Sequence, residues 1–377
     1  MTARFESLGS VGGLRRGFTS GTSVQAAAKA AAYMAVTGET TDTVTVELPN
    51  GMELEVPVED AAIGEGWASC CVIKRSGDDP DVTDGHRFCC TVRRSDLPGV
   101  TVIGGKGVGK VTKKGLPIPP GEPAINPTPR KMILRDLSAL TPDGKGLEVE
   151  VSIPDGEELA KKTWNPRLGI EGGISVIGTT GIVEPKSTAA WEASIDVYVS
   201  VAAEEVAKGP LFLPLGYIGE KLLKERFDIP AEKIVKTGDK VGYTLERCIA
   251  EGIEKTLIVG HIGKLTKLAA GIFDTNYRSG DGRLETVAAW AGASGASQSV
   301  IREILDLKLA EAAVPIIIRE GLEETFSHIS RRSQERLTEF LKGEMEIATA
   351  LTDLEGTILS TWPEDVMEGK SWKKFTS

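Results

Sequence analysis

The chain has 377 residues, of which 41% are hydrophobic, and a formal net charge of −10. This length and apolar content suffice for a buried core in two or three domains and exclude a disordered chain. The negative charge excludes a surface-wide attraction to nucleic acid or anionic lipid. The N-terminus lacks the apolar core of a signal peptide, and no stretch approaches the roughly 20 apolar residues that span a bilayer, so we expect a cytoplasmic protein without a membrane partner.

The first part of the chain predicts one helix followed by strands. An Ala-rich run predicts a helix from about Ser23 to Val36 that ends near Gly38. Alternating apolar and polar residues then predict strands, with Asn50-Gly51 as a hairpin signal between the first two. The predicted strands are VTVELP, MELEVPV and the segments 67–75 and 86–94.

The segment from Gly99 to Pro129 is rich in Gly, Pro and Lys and is too long for an ordinary connector. Such segments are typical of functional loops. We therefore expect residues 1–171 to form an N-terminal α+β domain with a mixed sheet and a Gly/Pro/Lys-rich substrate loop.

The five cysteines are predicted to be reduced thiols, because their number is odd and the sequence shows no export signal. Adjacent cysteines in strand-like runs point to opposite faces of a sheet, which favours buried thiols. A zinc site usually has paired ligands two to four residues apart, so we expect no metal site. The cysteines are Cys70, Cys71, Cys89, Cys90 and Cys248.

The second half of the chain alternates short apolar strands with amphipathic helices, which predicts a mainly parallel sheet with crossover helices. The predicted strands are ISVIG, LFLPLG, KIVKTG and TLIVG. A helix near 318–342 and a hairpin, EIATALTD-LEG-TILST, follow. We therefore expect residues 172–377 to form a C-terminal α/β domain.

Three of these strands end in G-x-x-G, and we expect the three loops to converge at the carboxyl edge of one parallel sheet, where ligands bind. Glycine lets a backbone approach a ligand closely, so the loops predict a cofactor site. The predicted cofactor residues are Gly178, Thr179, Thr180, Gly181, Gly216, Gly219, Gly260 and Gly263. His261 lies inside the third loop and is interpreted either as a ligand contact or as a turn residue.

Residues 86–135 carry ten Lys and Arg against two acidic residues, a local charge of +8. This segment is interpreted either as a solvated basic face or as a site for a polyanionic small molecule. Within it, GGKGVGK has the spacing of a phosphate-binding loop, but Val111 stands where a Ser or Thr would bind Mg²⁺. We therefore do not expect a nucleoside triphosphate there.

Several long segments together resemble one family, the cobalt-precorrin-5B C1-methyltransferases of anaerobic cobalamin biosynthesis. They are LRRGFTSGTSVQAAAKAA (14–31), GDDPDVTDG (77–85), GGKGVGKVTKKGL (104–116), GEPAINPTPRKMI (121–133), NPRLGIEGGISVIGTTGIVEP (165–185) and GHIGKLTKLAAGIFDT (260–275). The chain departs from the family pattern at Ser23, Asp84 and Lys186, where Cys, His and Met are usual, and it lacks the usual His near Tyr277.

The resemblance implies methyl transfer from S-adenosylmethionine to C1 of a tetrapyrrole that carries its own cobalt, so no protein metal ligand is required. We expect the basic segment and the N-terminal loop to bind the carboxylates of the substrate, through Arg15, Arg16, Thr19, Thr22 and Arg130, and His261 to assist the reaction. Two alternatives stay open: a nucleotide-dependent enzyme and a tetrapyrrole-binding protein without catalysis. Homo-oligomerisation also stays open.

Overall fold

The computed structural model describes residues 3–4, 7–141, 145–366, 372 and 375. The chain divides into two compact units, Met1–Thr188 and Ala189–Ser377. This division falls later in the chain than the predicted boundary between residues 171 and 172. The reason is that the short strands 173–174 and 182–183 pair with strands of the first unit.

The N-terminal unit alternates many short strands with a few helices. Its strands are β1 (Ala3–Arg4), β2 (Ser10–Val11), β3 (Leu14–Arg15), β4 (Gly17–Phe18), β5 (Thr43–Glu47), β6 (Glu53–Pro57), β7 (Glu59–Gly64), β8 (Trp67–Ile73), β9 (Arg87–Ser95), β10 (Gly99–Gly104), β11 (Gly107–Val108), β12 (Lys110–Val111), β13 (Gly146–Ser152), β14 (Ile170–Glu171), β15 (Gly173–Ile174) and β16 (Ile182–Val183). Its helices are α1 (Ser20–Thr37), α2 (Pro127–Ser138) and α3 (Gly156–Ala160).

The largest sheet of this unit has the strand order β10-β13-β9-β8-β7, in which only the β10 and β13 pair is parallel. Helix α1 packs against β8 and β9. Its many alanines allow this close approach, and nearly the whole helix is buried. The helix ends as predicted at Gly38, which has a φ of 78° and donates its N–H to Met34 O. The predicted mixed sheet is confirmed.

The cysteine prediction is wrong for one pair. Cys71 and Cys89 lie opposite each other on β8 and β9 and form a disulfide, with their Cα atoms 4.0 Å apart. Directly opposed positions of antiparallel strands bring side chains this close, which the sequence spacing does not reveal. Cys70 and Cys90 point to the other face, and they and Cys248 are buried free thiols as predicted.

The predicted substrate loop is an ordered structure with its own small core. Val111, Ile118, Ala124 and Ile170 form a buried cluster that is separate from the main core. Strand β12 pairs with β14, and β11 pairs with β15, so residues 104–125 are fastened to the segment before Ile174. This apolar cluster holds the lysine-rich backbone in a defined conformation.

The C-terminal unit consists of one sheet surrounded by helices. Its helices are α4 (Thr188–Glu205), α5 (Tyr217–Lys221), α6 (Val241–Ala250), α7 (Ile262–Ala269), α8 (Arg283–Ala293), α9 (Gln298–Leu305), α10 (Ala313–Arg319) and α11 (Glu324–Phe340). Its strands are β17 (Leu211–Leu215), β18 (Lys255–His261), β19 (Glu346–Thr352) and β20 (Ile358–Trp362). A π-helical turn continues α5 over Leu222–Arg226, and 3₁₀ turns lie at Ala231–Lys233, Ala310–Ala312 and Glu364–Val366.

The sheet of this unit has the order β17-β18-β19-β20, with the first three strands parallel and β20 antiparallel. The predicted α/β class, the mainly parallel sheet and the terminal hairpin are confirmed. Two predicted strands are wrong: ISVIG contributes β15 to the other unit, and KIVKTG forms only an isolated bridge between Ile234 and Phe212. Among the residues described, no helix is both long and apolar enough to cross a membrane.

Candidate functional site: two clusters, one in each unit

The first cluster surrounds the start of helix α1, and we call it the N-terminal site (residues 15–22, 126–130 and 177–181). Thr19 caps the helix, because its hydroxyl oxygen accepts the N–H of Thr22 at 3.2 Å. The Thr22 hydroxyl is fully buried and donates to Gly181 O at 2.8 Å. Buried hydrogen bonds of Thr19 and Thr22 therefore attach the loop Gly178–Gly181 to the start of helix α1.

The loop Gly178–Gly181 lies in this N-terminal site. Gly181 O accepts the N–H of Thr19 at 3.0 Å, and Ile177 O accepts the N–H of Gly21 at 2.8 Å. The prediction that this loop ends a strand of the C-terminal parallel sheet is wrong. The sequence ISVIGTTG has the pattern of a buried strand followed by a loop. Its position in the fold depends instead on hydrogen bonds to distant residues, such as the one that Ile177 O accepts from Ser20, 157 residues earlier.

Helix α2 begins beside helix α1. A side-chain carbon placed on Gly21 would lie 2.7 Å from Pro129 Cγ, so only glycine allows this approach. Asn126 donates its backbone N–H to Val176 O at 3.0 Å, which ties the start of α2 to the segment before the loop. Arg130, in the first turn of α2, thus belongs to the same site as Thr19.

The three arginines predicted to bind the substrate lie at different distances from acidic residues of the chain. Arg15 binds Asp78 through its backbone N–H and its guanidinium at 2.7 Å, and this hydrogen bonding lowers the pKa of Asp78. Arg16 lies 2.6 Å from Glu184, whereas Arg130 lies 4.0 Å from Glu122. Arg130 is therefore the least tightly paired of the three.

Two carboxylates of the acidic loop 77–84 are bound by groups of the segment that precedes it. Lys74 is almost fully buried and bonds Asp81 at 2.5 Å and Ser76 at 2.6 Å. Asp84, one of the departures noted from the sequence, accepts the N–H of Ser76 at 2.6 Å. Ser23, another of these departures, donates its hydroxyl to Thr19 O at 3.0 Å. These departures thus serve local hydrogen bonding around the N-terminal site.

The basic segment divides into paired arginines and unpaired lysines. Arg87 and Arg93 pair with carboxylates at 2.9 and 3.1 Å, and Arg94 donates to carbonyls near the end of α1. Four exposed lysine ammonium groups make no hydrogen bond or ion pair with any part of the chain that the structure describes. They are Lys106, Lys110, Lys114 and Lys131. These four ammonium groups, together with the loosely paired guanidinium of Arg130, could pair with an added anion.

The second cluster lies at the carboxyl edge of the C-terminal sheet, and we call it the edge site (residues 216–219, 260–263 and 311). The loops after β17 and β18 meet there, as predicted, because these strands are parallel neighbours. A side-chain carbon on Gly219 would lie 2.7 Å from Val259 O, and one on Gly260 would lie 2.9 Å from Leu265 Cδ1. These two glycines are therefore required by packing inside the protein.

Gly216 differs from the other glycines of the edge site. It has a φ of 105°, and a side-chain carbon there would meet no atom within 4 Å. The backbone at Gly216 therefore faces open space, and the next residue, Tyr217, is exposed. This is the position of the edge site where an added molecule can approach the backbone.

His261 begins helix α7 at the edge site and contacts Glu311. The Nδ1 atom accepts a hydrogen bond from the backbone N–H of Gly263 at 3.2 Å and lies 2.9 Å from Glu311 Oε1. The adjacent His261 lowers the pKa of Glu311 against the opposing effect of burial. His261 was predicted from the sequence, whereas Glu311 was not, because 50 residues separate the two and nothing in LAEAAVP marks the carboxylate.

A further polar network lies beside α7, and sequence reasoning missed it. Lys264 Nζ binds Asp239 Oδ1 and, at 3.1 Å, Thr275 Oγ1. Lys267 is buried and donates to three backbone carbonyls of the following loop, those of Thr275, Asn276 and Gly280. The density of polar residues in FDTNYRSGDG was the available signal. Across the described residues, no group of three or more His, Cys, Asp or Glu is arranged to hold a metal ion.

Comparison with known proteins assigns both units to one family. Residues 9–185 match the family described as CbiD, and residues 274–363 match the CbiD C-terminal domain. A cobalt-precorrin-5B C(1)-methyltransferase of Moorella thermoacetica is 42% identical over 92% of this chain and 94% of that relative. The protein of the same name from Alkaliphilus metalliredigens is 40% identical over 92% of each chain.

One solved structure also matches. It is the crystal structure of a cobalamin biosynthesis protein from Archaeoglobus fulgidus, which is 31% identical and has a TM-score of 0.38. The match covers 70% of this chain and 83% of that one.

Proposed function

Because the chain belongs to the CbiD family, we propose that it transfers a methyl group from S-adenosylmethionine to C1 of cobalt-precorrin-5B, giving cobalt-precorrin-6A. The observation that carries this proposal is that relatives with this name align over 92% of the chain. The family match over residues 9–185 includes the N-terminal site.

The chemistry assigns limited tasks to the protein. S-adenosylmethionine supplies a methyl group that is already activated by a positively charged sulfur. The bond from sulfur to methyl breaks as the bond from C1 to methyl forms with an electron pair of the tetrapyrrole. The positive charge of the sulfonium passes to the tetrapyrrole, which can then lose a proton. The residues of the chain have to align the two reactants, exclude water and accept that proton.

For the tetrapyrrole we propose the N-terminal site and the adjoining lysines. Several carboxylates on the substrate require several cations, and Lys106, Lys110 and Lys114 are exposed and unpaired among the residues described. Arg130 is only loosely paired with Glu122, and Arg15 and Arg16 lie in the same unit. Thr19 and Thr22 hold the loop 178–181 in place, so we now propose that this loop contacts the tetrapyrrole rather than the cofactor.

For S-adenosylmethionine we propose the edge site. The carboxyl edge of a parallel sheet is the usual position of a ligand, and the backbone of Gly216 faces open space there. Gly219, Gly260 and Gly263 keep the neighbouring loops close together beneath it. His261 and Glu311 add polar groups to the same edge.

The placement of the cofactor is tested by Gly216→Val, with Gly295→Val as the matched control. Both glycines lie in the C-terminal unit with φ near 100° and with free space around them, so the backbone strain is similar. Calorimetric titration with S-adenosylmethionine should show at least about a tenfold weaker Kd for the first variant, equivalent to 1.4 kcal/mol, and little change for the second. Equal affinity in both folded variants would remove the edge site from the proposal.

The overall function is tested by incubating the protein with cobalt-precorrin-5B and methyl-labelled S-adenosylmethionine. Labelled cobalt-precorrin-6A is the expected product. Binding of ATP or NAD in preference to S-adenosylmethionine would favour a nucleotide-dependent enzyme, and tetrapyrrole binding without methylation would favour a non-catalytic role. A cytoplasmic location is part of the proposal, and cell fractionation tests it.

A further inference from the structure

Ile177 is an apolar residue that is exposed at the N-terminal site. Its neighbour Val176 is buried in the main core of the unit, whereas the side chain of Ile177, which follows in the same extended segment, is 51% exposed. Single exposed apolar side chains are common on protein surfaces, so the surroundings of Ile177 have to decide whether it has a function.

The backbone of Ile177 is fixed by hydrogen bonds at both its N–H and its carbonyl group. The Ser20 hydroxyl accepts the N–H of Ile177 at 2.9 Å and donates to Ile177 O at 3.0 Å. The same carbonyl oxygen accepts the N–H of Gly21 at 2.8 Å. Ser20 is itself buried, so the start of helix α1 holds Ile177 in one position. An apolar side chain on a fixed backbone loses little conformational entropy when a ligand covers it.

Positively charged residues lie close to the segment that carries this side chain. A side-chain carbon placed on Gly21 would lie 3.1 Å from Ile177 O and 2.7 Å from Pro129 Cγ, so both atoms lie beside the same point of helix α1. Arg130 and Lys131 follow Pro129 in helix α2. Arg130 is only loosely paired, and the Lys131 ammonium has no partner among the residues described. The site therefore combines a fixed, exposed apolar side chain with incompletely paired cations.

This combination fits a tetrapyrrole better than it fits a simple polyanion. A linear polycarboxylate offers charges to the cations but has no apolar surface for Ile177 to contact. A tetrapyrrole macrocycle carries its carboxylates on the rim and apolar surface on its faces, so one molecule matches both features. Burial of apolar surface is favourable and independent of charge, and it adds a discrimination that the cations alone do not supply.

We propose that Ile177 is a specificity-determining residue of the N-terminal site, whose side chain packs against a face of the tetrapyrrole macrocycle while the nearby cations bind carboxylates on its rim. This inference rests on the proposed function, because the tetrapyrrole is the substrate proposed there. The contact is one of packing alone, and Ser20 keeps it in place through the backbone.

The experiment compares Ile177→Ala with the matched control Leu97→Ala. Each change removes three carbon atoms from an exposed aliphatic side chain of the N-terminal unit, and Leu97 lies between β9 and β10. Titration with cobalt-precorrin-5B, followed by the visible absorbance of the tetrapyrrole, gives the Kd. Ile177→Ala should raise this Kd about tenfold, as expected when a half-exposed aliphatic side chain loses its contact, and Leu97→Ala should change it by less than about twofold. The Kd for S-adenosylmethionine should not change in either variant.

Salt separates the apolar contact from the charges. The ratio between the Kd values of Ile177→Ala and wild type should be the same at low and high salt, because no charge is removed. The corresponding ratio for Arg130→Ala should shrink as salt screens the lost charge. Ile177→Thr keeps the β-branched shape, should also raise the Kd, and serves as a second variant if the alanine variant is unstable.

An unchanged tetrapyrrole Kd in the folded Ile177 variants overturns the contact, and so does an equal loss of affinity in Leu97→Ala or a loss of affinity for S-adenosylmethionine. If Arg130→Ala weakens tetrapyrrole binding and the Ile177 variants do not, this inference fails and the proposed substrate site stands. If wild-type protein binds the tetrapyrrole but transfers no methyl group, the proposed function fails, and the Kd values still decide whether Ile177 contacts the macrocycle.

Discussion

The N-terminal site and the edge site differ in which of their polar groups are already bound within the protein. In the N-terminal site the hydroxyls of Thr19 and Thr22 and the N–H groups of Gly21 and Thr22 are bound internally. By contrast, Lys131 of helix α2 is exposed and has no partner among the described residues. In the edge site the charged groups bind one another, and what remains open is backbone at Gly216. The first arrangement suits a polyanion held by charge, and the second suits a ligand held by close backbone approach.

This contrast extends to how deeply the ion pairs are buried. The Lys74 side chain beside Asp81 is 2% exposed, whereas that of Lys240 beside Asp274 is 23% exposed. An uncompensated charge is far more costly in the first environment than in the second. Substitutions that break these ion pairs should therefore lower the free energy of unfolding by different amounts, more for the buried pair than for the exposed one.

The largest expected effect is on stability, from Asp81→Asn. This change leaves the buried Lys74 ammonium without its partner, and breaking a buried ion pair typically costs about 3–5 kcal/mol. Urea denaturation should show a correspondingly lower midpoint for the N-terminal unit. The matched variant Asp274→Asn breaks a more exposed pair and should cost about 1 kcal/mol or less. Equal losses in the two variants would contradict the difference in burial.

The same pair gives a pH dependence. Burial raises the pKa of Asp81, but Lys74 and Thr83 together lower it more, so the folded-state pKa lies below the ordinary value of 3.8. The stability contributed by ionised Asp81 is therefore complete above the ordinary pKa and is lost as pH falls through the folded value. The difference in unfolding free energy between wild type and Asp81→Asn should shrink in acid.

The next effect is on catalysis, from His261→Asn. Asparagine can still cap helix α7 but cannot accept a proton, so single-turnover methyl transfer should fall by about 100-fold, near the low end of general-base contributions. Alignment of the reactants should preserve measurable turnover. An unchanged rate would make His261 a turn residue, and complete loss with both ligands still bound would show that proton transfer contributes more than alignment.

A comparable but smaller effect is expected on substrate affinity, from Arg130→Ala. Losing one charged hydrogen bond to a carboxylate should cost about 1.5–3 kcal/mol, or roughly a tenfold to hundredfold rise in KM for the tetrapyrrole. Arg87→Ala is the control, because Arg87 belongs to the same basic segment but is paired with Asp60 at 2.9 Å. Similar KM values for the two folded variants would argue that the basic segment is a solvated face.

The smallest effect is expected from Thr22→Val, which keeps the shape of the side chain and removes its hydroxyl. Gly181 O would lose one donor and keep the N–H of Thr19, so the expected cost is about 1 kcal/mol. Hydrogen exchange should increase in the segment 178–183, and the Kd for S-adenosylmethionine should not change. A weaker Kd would instead support the first prediction, that this loop binds the cofactor.

Local sequence determined the elements whose signals lie within a few residues. The alanine run and Gly38 defined helix α1, and the alternation around the terminal hairpin defined β19 and β20. The family segments also determined the family, because each is a long combination of residues with its own order along the chain. For these features, propensity, periodicity and capping act between neighbours, and the sequence displays neighbours directly.

Tertiary structure alone decided which distant residues meet. The sequence pattern placed β15 and the loop 178–181 in the second sheet. In the structure β15 pairs with β11 of the first unit, and hydrogen bonds from Ser20, Gly21 and Thr22 hold Ile177 and Gly181 there. The register of β8 and β9 placed Cys71 opposite Cys89, and the turn at 310–312 placed Glu311 against His261. Each of these contacts depends on the register and packing of whole elements, and a single sequence records the elements without recording which of their faces pack together.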